Sequence, residues 1–162
     1  MNEFRSRSSN QVKLITVGGL LSLPLIMLSL FVKMKIFGIV ITIIIVLLVV
    51  SIFLYFYSKS LVKIIIDDKF VVLKKNIGFD KIYYEEIKCI TKLEYSEIPM
   101  TVGSKGFFGF IGTTMDNSYS YVKNRNEMIR ISTKDRKYLV SCENPDNFIE
   151  EMRERIKNNA SL

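Results

Sequence analysis

Apolar and polar positions divide the chain into three parts. Residues 1–13 are polar and basic, residues 14–57 are almost free of charge, and residues 58–162 alternate short apolar runs with polar turns. These patterns predict a basic N-terminal tail, then a pair of membrane-spanning helices, then a soluble domain of ordinary size.

The stretch at residues 36–57 carries the strongest membrane signal. Its 22 residues include no charge, and most of them are Ile, Leu, Val or Phe. As a helix it would extend about 33 Å, which is enough to cross the hydrocarbon core of a bilayer. A buried helix of a soluble protein would keep a polar face, and this stretch has none. We therefore predict a transmembrane helix.

An earlier apolar stretch, residues 14–32, also lacks charge over 19 residues. Because the chain begins with basic residues, a secretory signal peptide is the alternative interpretation. The run is longer than a typical signal peptide core, and Lys33, Met34 and Lys35 follow it where a small-residue cleavage site would stand. We predict a retained helix that forms a tight antiparallel hairpin with residues 36–57.

Small residues would meet across such a hairpin, and small side chains let membrane helices approach closely. An equally open interpretation is that they are only tolerated in the spans. The candidate packing residues are Gly18, Ser22, Ser29, Gly38 and Ser51. Neither stretch contains a charged residue or His, the groups that transport and proton relays require, so the hairpin is predicted to be an anchor.

The basic residues beside the apolar stretches indicate the orientation. Three lie in the tail and three follow the second stretch, whereas two lie between the stretches. Because Lys and Arg are enriched on the cytoplasmic side, we expect both termini and the soluble domain in the cytoplasm, at the inner membrane.

Residues 58–162 predict short strands followed by one helix. Tight hairpins are indicated around Asp67–Lys69 and around residues 133–136, and residues 81–95 indicate one or two strands with an irregularity. Asn144 and Pro145 have the chemistry of a helix start. One apolar helical stripe follows, at Phe148, Ile149, Met152 and Ile156. We expect an α+β domain of about seven strands, a small barrel or bent sandwich closed by this helix.

Several segments together resemble a known family. Two apolar helices precede "KIIIDDKFVVLKK", a central "GSKGFFGFIG" and the ending "YLVSCENPDNFIEEM". This order is similar to that of bacterial pleckstrin-homology-like (PH-like) membrane proteins. The resemblance covers roughly residues 60–158 and implies a seven-stranded bent barrel capped by a C-terminal helix, without an established biochemical activity. Relatives that bind phosphoinositides use clustered Lys and Arg around the first hairpin. Asp67 and Asp68 stand there in this chain, which argues against inositol-phosphate binding.

Charge and residue usage exclude other classes of function. The net charge is +7, but 18 of the 23 basic and 15 of the 16 acidic residues lie in residues 58–162. This balance does not indicate a nucleic-acid binder. The chain has no His, the usual general base near neutral pH. Its two cysteines, Cys89 and Cys142, have no metal-ligand spacing and are expected to be buried on strands. We predict no cofactor, no metal and no catalysis.

The segment "VGSKGFFGFIG" at residues 102–112 places a glycine at every third position. It does not match a phosphate-binding loop, since no Lys follows the last glycine and no helix opens after it. Its phenylalanines either pack on the β core, or contact a membrane, the hairpin or a partner. The candidate membrane or partner contacts are Lys105, Phe107, Phe108, Phe110, Lys123 and Arg125.

Two functions remain open. The first is a membrane-anchored interaction module at the inner leaflet that binds lipid or a protein partner. The alternative is a regulatory or protective, immunity-type subunit of a membrane complex, recognised through its transmembrane hairpin.

Overall fold

The computed structural model describes residues 2–31, 36–94 and 100–160. The predicted Lys33–Met34–Lys35 connection lies outside these residues. The strands are β1 (Asn2–Arg5), β2 (Leu61–Ile66), β3 (Phe70–Lys75), β4 (Phe79–Tyr83), β5 (Ile87–Leu93), β6 (Met100–Lys105), β7 (Phe110–Thr114), β8 (Ser118–Val122), β9 (Met128–Thr133) and β10 (Lys137–Ser141). The helices are α1 (Asn10–Phe31), α2 (Ile36–Lys59) and α3 (Pro145–Ala160).

The strands form two sheets, arranged like a sandwich. One has the order β1-β2-β3-β4 and the other β5-β9-β10-β8-β7-β6. Neighbouring strands are antiparallel except β8 and β10, which are parallel. The predicted hairpins at Asp67–Lys69 and at residues 133–136 are confirmed, since they join β2 to β3 and β9 to β10.

Of the two predicted forms, the barrel is wrong and the sandwich is confirmed, because in the described part of the chain the two sheets do not pair with each other. A 3₁₀ turn at Tyr84–Glu86 interrupts the chain between β4 and β5, so these strands become edges of different sheets. The strands also exceed the predicted seven. β1, β6 and β7 were not predicted, because the first lies in a polar tail and the other two each contain a glycine, a residue that disfavours strands.

The core lies between the sheets and under α3. Ile64 and Leu73 of the first sheet, Ile131 of the second and Phe148 of α3 are fully buried in one cluster. The predicted apolar stripe of α3 is confirmed: Phe148, Ile149 and Met152 are buried, and Ile156 packs against the same cluster. Helix α3 is therefore part of the core.

The N-terminal residues pair with strands and loops of the domain. Strand β1 pairs antiparallel with β2, and the amide of Ser6 donates to the carbonyl of Val62 at 3.0 Å. The amide of Ser9 donates to the carbonyl of Lys123 at 3.0 Å. Helix α1 therefore begins close to the domain, with Val12 already buried.

In contrast to the buried Val12 at the start of α1, helix α2 exposes its large apolar side chains. Among the described residues, one helical segment, Ile39–Lys59, is long and apolar enough to cross a membrane, and 6% of its most apolar stretch is buried. A core helix of a soluble protein would be mostly buried. Helices α1 and α2 contact each other.

The two cysteines differ. Cys142 is buried and behaves as expected, whereas Cys89 is exposed on β5, so the prediction that both are buried is wrong for Cys89. Strand β5 is an edge strand in which Ile90 is buried, while the two residues on each side of it, Cys89 among them, are exposed.

Candidate functional site

The glycine-phenylalanine segment forms a hairpin, β6–β7, whose tip contacts both helices. Gly106–Gly109 make the tip, and the amide of Gly106 donates to the carbonyl of Gly109 at 3.0 Å. Phe107 and Phe108 are its two central residues, and we call this tip the Gly–Phe turn. Phe108 has φ +57°, a left-handed conformation that is uncommon for a bulky side chain.

Three hydroxyl groups from different parts of the chain hold the backbone of this turn. The Thr16 hydroxyl of α1 accepts from the Phe108 amide at 2.9 Å and donates to the Gly106 carbonyl at 3.3 Å. The Ser60 hydroxyl, one residue after α2, donates to the Phe108 carbonyl at 2.8 Å. The Ser104 hydroxyl donates to the Phe107 carbonyl at 2.8 Å. The amide and the carbonyl of Phe108 thus both have partners, which avoids the cost of removing them from water unpaired. These hydrogen bonds help to offset the cost of its left-handed backbone conformation.

The two phenylalanine rings pack on the last turns of α2. Phe53 makes edge-on contacts with Phe107 and Phe108, with ring centroids 5.0 Å and 6.3 Å apart. Tyr57 makes another with Phe108 at 5.5 Å. Each aromatic pair of this geometry contributes roughly 1 kcal/mol beyond the burial of its area.

On the side of α1, close packing depends on glycine. A Cβ placed on Gly19 would overlap the ring of Phe107, and a Cβ placed on Gly106 would lie 2.6 Å from Ile15 Cδ1. Gly106 also has φ +126°, which side chains rarely adopt. The turn therefore lies between the domain-side ends of α1 and α2 and ties the domain to both.

The six predicted contact residues fall into separate groups. Phe107 and Phe108 lie in the turn, whereas Lys105 is exposed at the end of β6. Phe110 packs on a small cluster formed by Val122, Met128 and Leu139. The guanidinium of Arg125 lies 5.0 Å from the Phe110 ring centroid. The phenylalanines thus divide between helix contact and β core, and direct contact of these residues with lipid or a partner stays a prediction.

Lys123 is half-buried, which lowers the pKa of its ammonium group. Its backbone is bonded on both sides, since its carbonyl accepts from Ser9 and its amide donates to the Ser141 hydroxyl at 2.8 Å. Lys123 therefore lies where the N-terminal segment joins the domain.

Helix–helix packing through the predicted small residues also stays a prediction. A Cβ on Gly18 would meet no atom within 4 Å. The hydroxyls of Ser22 and Ser51 are exposed and donate to carbonyls of their own helices, those of Gly19 and Leu47. The side chain of Ser29 and the surroundings of Gly38 lie outside what the structure describes.

Sequence reasoning missed Thr16, Gly19, Phe53 and Ser60. Gly19 was visible as a small residue in an apolar stretch, yet its partner lies 88 positions away in the chain. Thr16 and Ser60 carried no signal, because single hydroxyl groups near helix ends are common.

The Asp67–Lys69 turn between β2 and β3 contacts α3. Arg155 of α3 pairs with Asp68 at 2.8 Å, and the side-chain amide of Asn159 donates to the Asp68 carbonyl at 2.9 Å. This turn is therefore acidic and covered in part by α3. Within the described ranges, no three His, Cys, Asp or Glu side chains lie close enough together to hold a metal ion.

Comparison with known proteins identifies the domain. Residues 62–156 match the family described as bacterial PH domain, and this match begins in β2 and ends within α3. No curated protein and no solved structure matches the chain. The matched region covers more than half of the sequence, and both of its sheets and its C-terminal helix contribute to the main hydrophobic core. The chain belongs to the bacterial PH domain family.

Proposed function

We propose that this protein is a membrane-anchored interaction module without catalytic activity. Helices α1 and α2 form a transmembrane hairpin in the inner membrane, and the PH domain stands on its cytoplasmic side with both termini. There the domain binds a protein partner or lipid, the general role of PH-like domains. The observation that carries this proposal is the exposed apolar surface of α2, which needs lipid as its cover.

The Gly–Phe turn fixes the orientation of the domain relative to the proposed anchor. A PH domain on a flexible linker would sample many orientations above the bilayer. Here one residue, Ser60, separates α2 from β2, and the turn packs on both helices. The proposed module therefore presents one fixed face of the domain to the cytoplasm, which lowers the ordering cost of binding a partner.

Alkaline carbonate extraction of membranes tests the anchoring. We expect the protein to remain in the pellet and the double variant Ile44→Arg/Leu48→Arg to move to the supernatant. Each arginine at the centre of a span costs about 3 kcal/mol on the insertion scale. The matched control is Val102→Arg/Met115→Arg, which adds the same charge at exposed apolar positions of the domain and should stay in the pellet. Release of the unsubstituted protein by carbonate would reject membrane anchoring.

A further inference from the structure

A second turn of the domain is fixed to the end of α2. This β3–β4 turn comprises Asn76, Ile77 and Gly78. The amides of Asn76 and Ile77 donate to the carbonyls of Ser60 and Ser58, both at 3.0 Å. The side-chain amide of Asn76 donates to the carbonyl of Tyr57 at 2.9 Å. The turn therefore lies level with the residues at which the apolar stretch of α2 ends.

The side chains at this turn are apolar, where an exposed turn is normally polar. Ile77 is 67% exposed, and Phe79, the first residue of β4, is 53% exposed. Tyr55 and Tyr57 of α2 are also exposed. Tyrosines at the end of a membrane span are typical of the interface between hydrocarbon and headgroups. The domain thus adds two apolar side chains to the level at which α2 places its tyrosines.

Lysines surround the same turn. Lys74 is the register partner of Phe79, and its ammonium lies 5.9 Å from the Phe79 ring centroid. The ammonium of Lys81 lies 5.6 Å from that centroid and 4.7 Å from the ring centroid of Phe70, so it lies between the two rings. In the part of the chain that the structure describes, neither lysine forms an ion pair with a carboxylate. Basic side chains beside exposed apolar ones form the composition that binds anionic lipid surfaces.

We propose that the β3–β4 turn is a second membrane contact, in which Ile77 and Phe79 enter the headgroup boundary and Lys74 and Lys81 bind anionic lipid phosphates. This inference rests on the proposed membrane anchoring. Lipid fits better than a protein partner, because the turn is bonded to the end of the span and whatever covers Ile77 must share the plane of the interface.

This contact lies at the opposite end of β2 from the acidic Asp67–Lys69 turn. Strand β2 leads from Ser60 to Asp67, so the Asp67–Lys69 turn stands about 20 Å farther along the strand. The acidic turn therefore faces away from the bilayer while the lysine-flanked turn faces it.

The experiment uses full-length protein carrying Cys89→Ser, so that no exposed native cysteine remains. Ile77→Cys is labelled with an environment-sensitive fluorophore, and the protein is reconstituted in vesicles of phosphatidylcholine with phosphatidylglycerol. Quencher groups are placed near the top of the acyl chains. The matched control is Met115→Cys, since Met115 is 71% exposed and follows β7 at the end away from the Gly–Phe turn.

We expect the label at position 77 to shift to the blue and to be quenched several-fold more strongly than the label at 115. Replacing Lys74 and Lys81 by Gln should lower the ratio of lipid-bound to free turn by about fivefold per lysine in anionic vesicles. The charge-matched control, Lys134→Gln/Lys137→Gln, alters exposed lysines near the β9–β10 turn and should change nothing.

Flotation of the same vesicles separates the two proposals. If the protein does not float with the vesicles, membrane anchoring fails and this inference fails with it. If the protein floats while the label at 77 stays in water, or while both labels are quenched equally, the anchoring survives and the lipid contact is rejected. A label at 77 that becomes shielded only after a cytosolic protein is added would likewise reject lipid as the occupant.

Discussion

Phe108 adopts a left-handed backbone conformation that costs a bulky residue roughly 1 kcal/mol or more. Thr16 and Ser60 bond its amide and carbonyl, and its ring packs on Phe53 and Tyr57. A glycine would adopt this conformation without strain but would lose both ring contacts. The strain at Phe108 is therefore maintained by contacts with the helices.

Lys75 shows how one residue joins the two sheets. Its side chain is almost fully buried and forms an ion pair with Asp80 at 2.7 Å. Its ammonium also lies 5.1 Å from the ring centroid of Tyr121 in the other sheet. Burial, followed by the nearby Asp80, raises the pKa of Tyr121, so this phenol stays neutral through the physiological range.

Two other buried groups, the Cys142 thiol and the Tyr84 phenol, should make the free energy of unfolding depend on pH. Burial raises the pKa of the Cys142 thiol to about 12, and burial also raises the pKa of Tyr84 to about 12. In the unfolded chain these groups lose their protons near pH 9 and 10. Their stabilising effect is complete below those values and is lost as pH rises toward 12, because the unfolded state then binds fewer protons than the folded state.

We therefore expect the free energy of unfolding to fall by about 2 to 3 kcal/mol from Cys142 alone between pH 9 and 11. Denaturant unfolding followed by circular dichroism measures it. Cys142→Ala should be less stable at pH 8 but should show a flatter pH dependence. An unchanged slope in this variant would contradict the assignment to the thiol.

At the scale of elements, the β6–β7 hairpin connects the PH domain with the helices. Its glycines allow the backbone to approach α1, and its two phenylalanines supply the apolar area. The contact is made by an element of the domain and not by a linker. The helices and the sheets should therefore unfold as coupled units.

Gly18 and Gly19 provide a matched pair of substitutions on α1. Gly18→Ala meets open space and should be neutral or slightly stabilising, because alanine favours helices by about 1 kcal/mol. Gly19→Ala forces the Phe107 ring to move and should destabilise by about 1 to 3 kcal/mol. The free energy of unfolding, measured for each variant in detergent micelles, compares the two substitutions.

A double-mutant cycle tests whether the Phe107 ring causes the destabilisation expected from Gly19→Ala. In a Phe107→Ala background, Gly19→Ala should lose its cost because the ring that it meets is gone. Equal costs in both backgrounds would mean that the alanine acts elsewhere, and the contact of the turn with α1 would then be unimportant for stability.

At the scale of the whole molecule, two sheets and α3 form one core, and the helices leave the domain at a single end. Ser60 follows α2 directly, and the Ser9 amide just before α1 is bonded to Lys123. The proposed topology then places every exposed residue of the domain on the cytoplasmic side of the membrane.

Chemical labelling of the exposed Cys89 tests on which side of the membrane the domain lies. It is exposed on β5, whereas Cys142 is buried, so a membrane-impermeant maleimide should modify one cysteine per chain in inside-out vesicles. Intact right-side-out cells should give no modification. Cys89→Ser is the control that removes the signal. Strong labelling from outside intact cells would place the domain on the other side and reject the proposed orientation.

The sequence by itself determined the features that depend on local pattern. The apolar stretch of α2, the hairpins at Asp67–Lys69 and 133–136, and the stripe of α3 were all readable, because periodicity and turn chemistry act over a few residues. The "GSKGFFGFIG" segment also directed attention to the correct part of the chain. Direct contact of its side chains with lipid or a partner stays a prediction.

Only the tertiary structure decided which phenylalanine does which task. Phe107 and Phe108 contact α2 while Phe110 joins the β core, although all three stand within four positions. The division into two sheets, the strand β1 in a polar tail and the burial of Cys142 but not of Cys89 also depend on distant pairing. Such contacts join residues tens of positions apart, and their energy comes from packing and hydrogen bonding between elements, which no local pattern of residue types records.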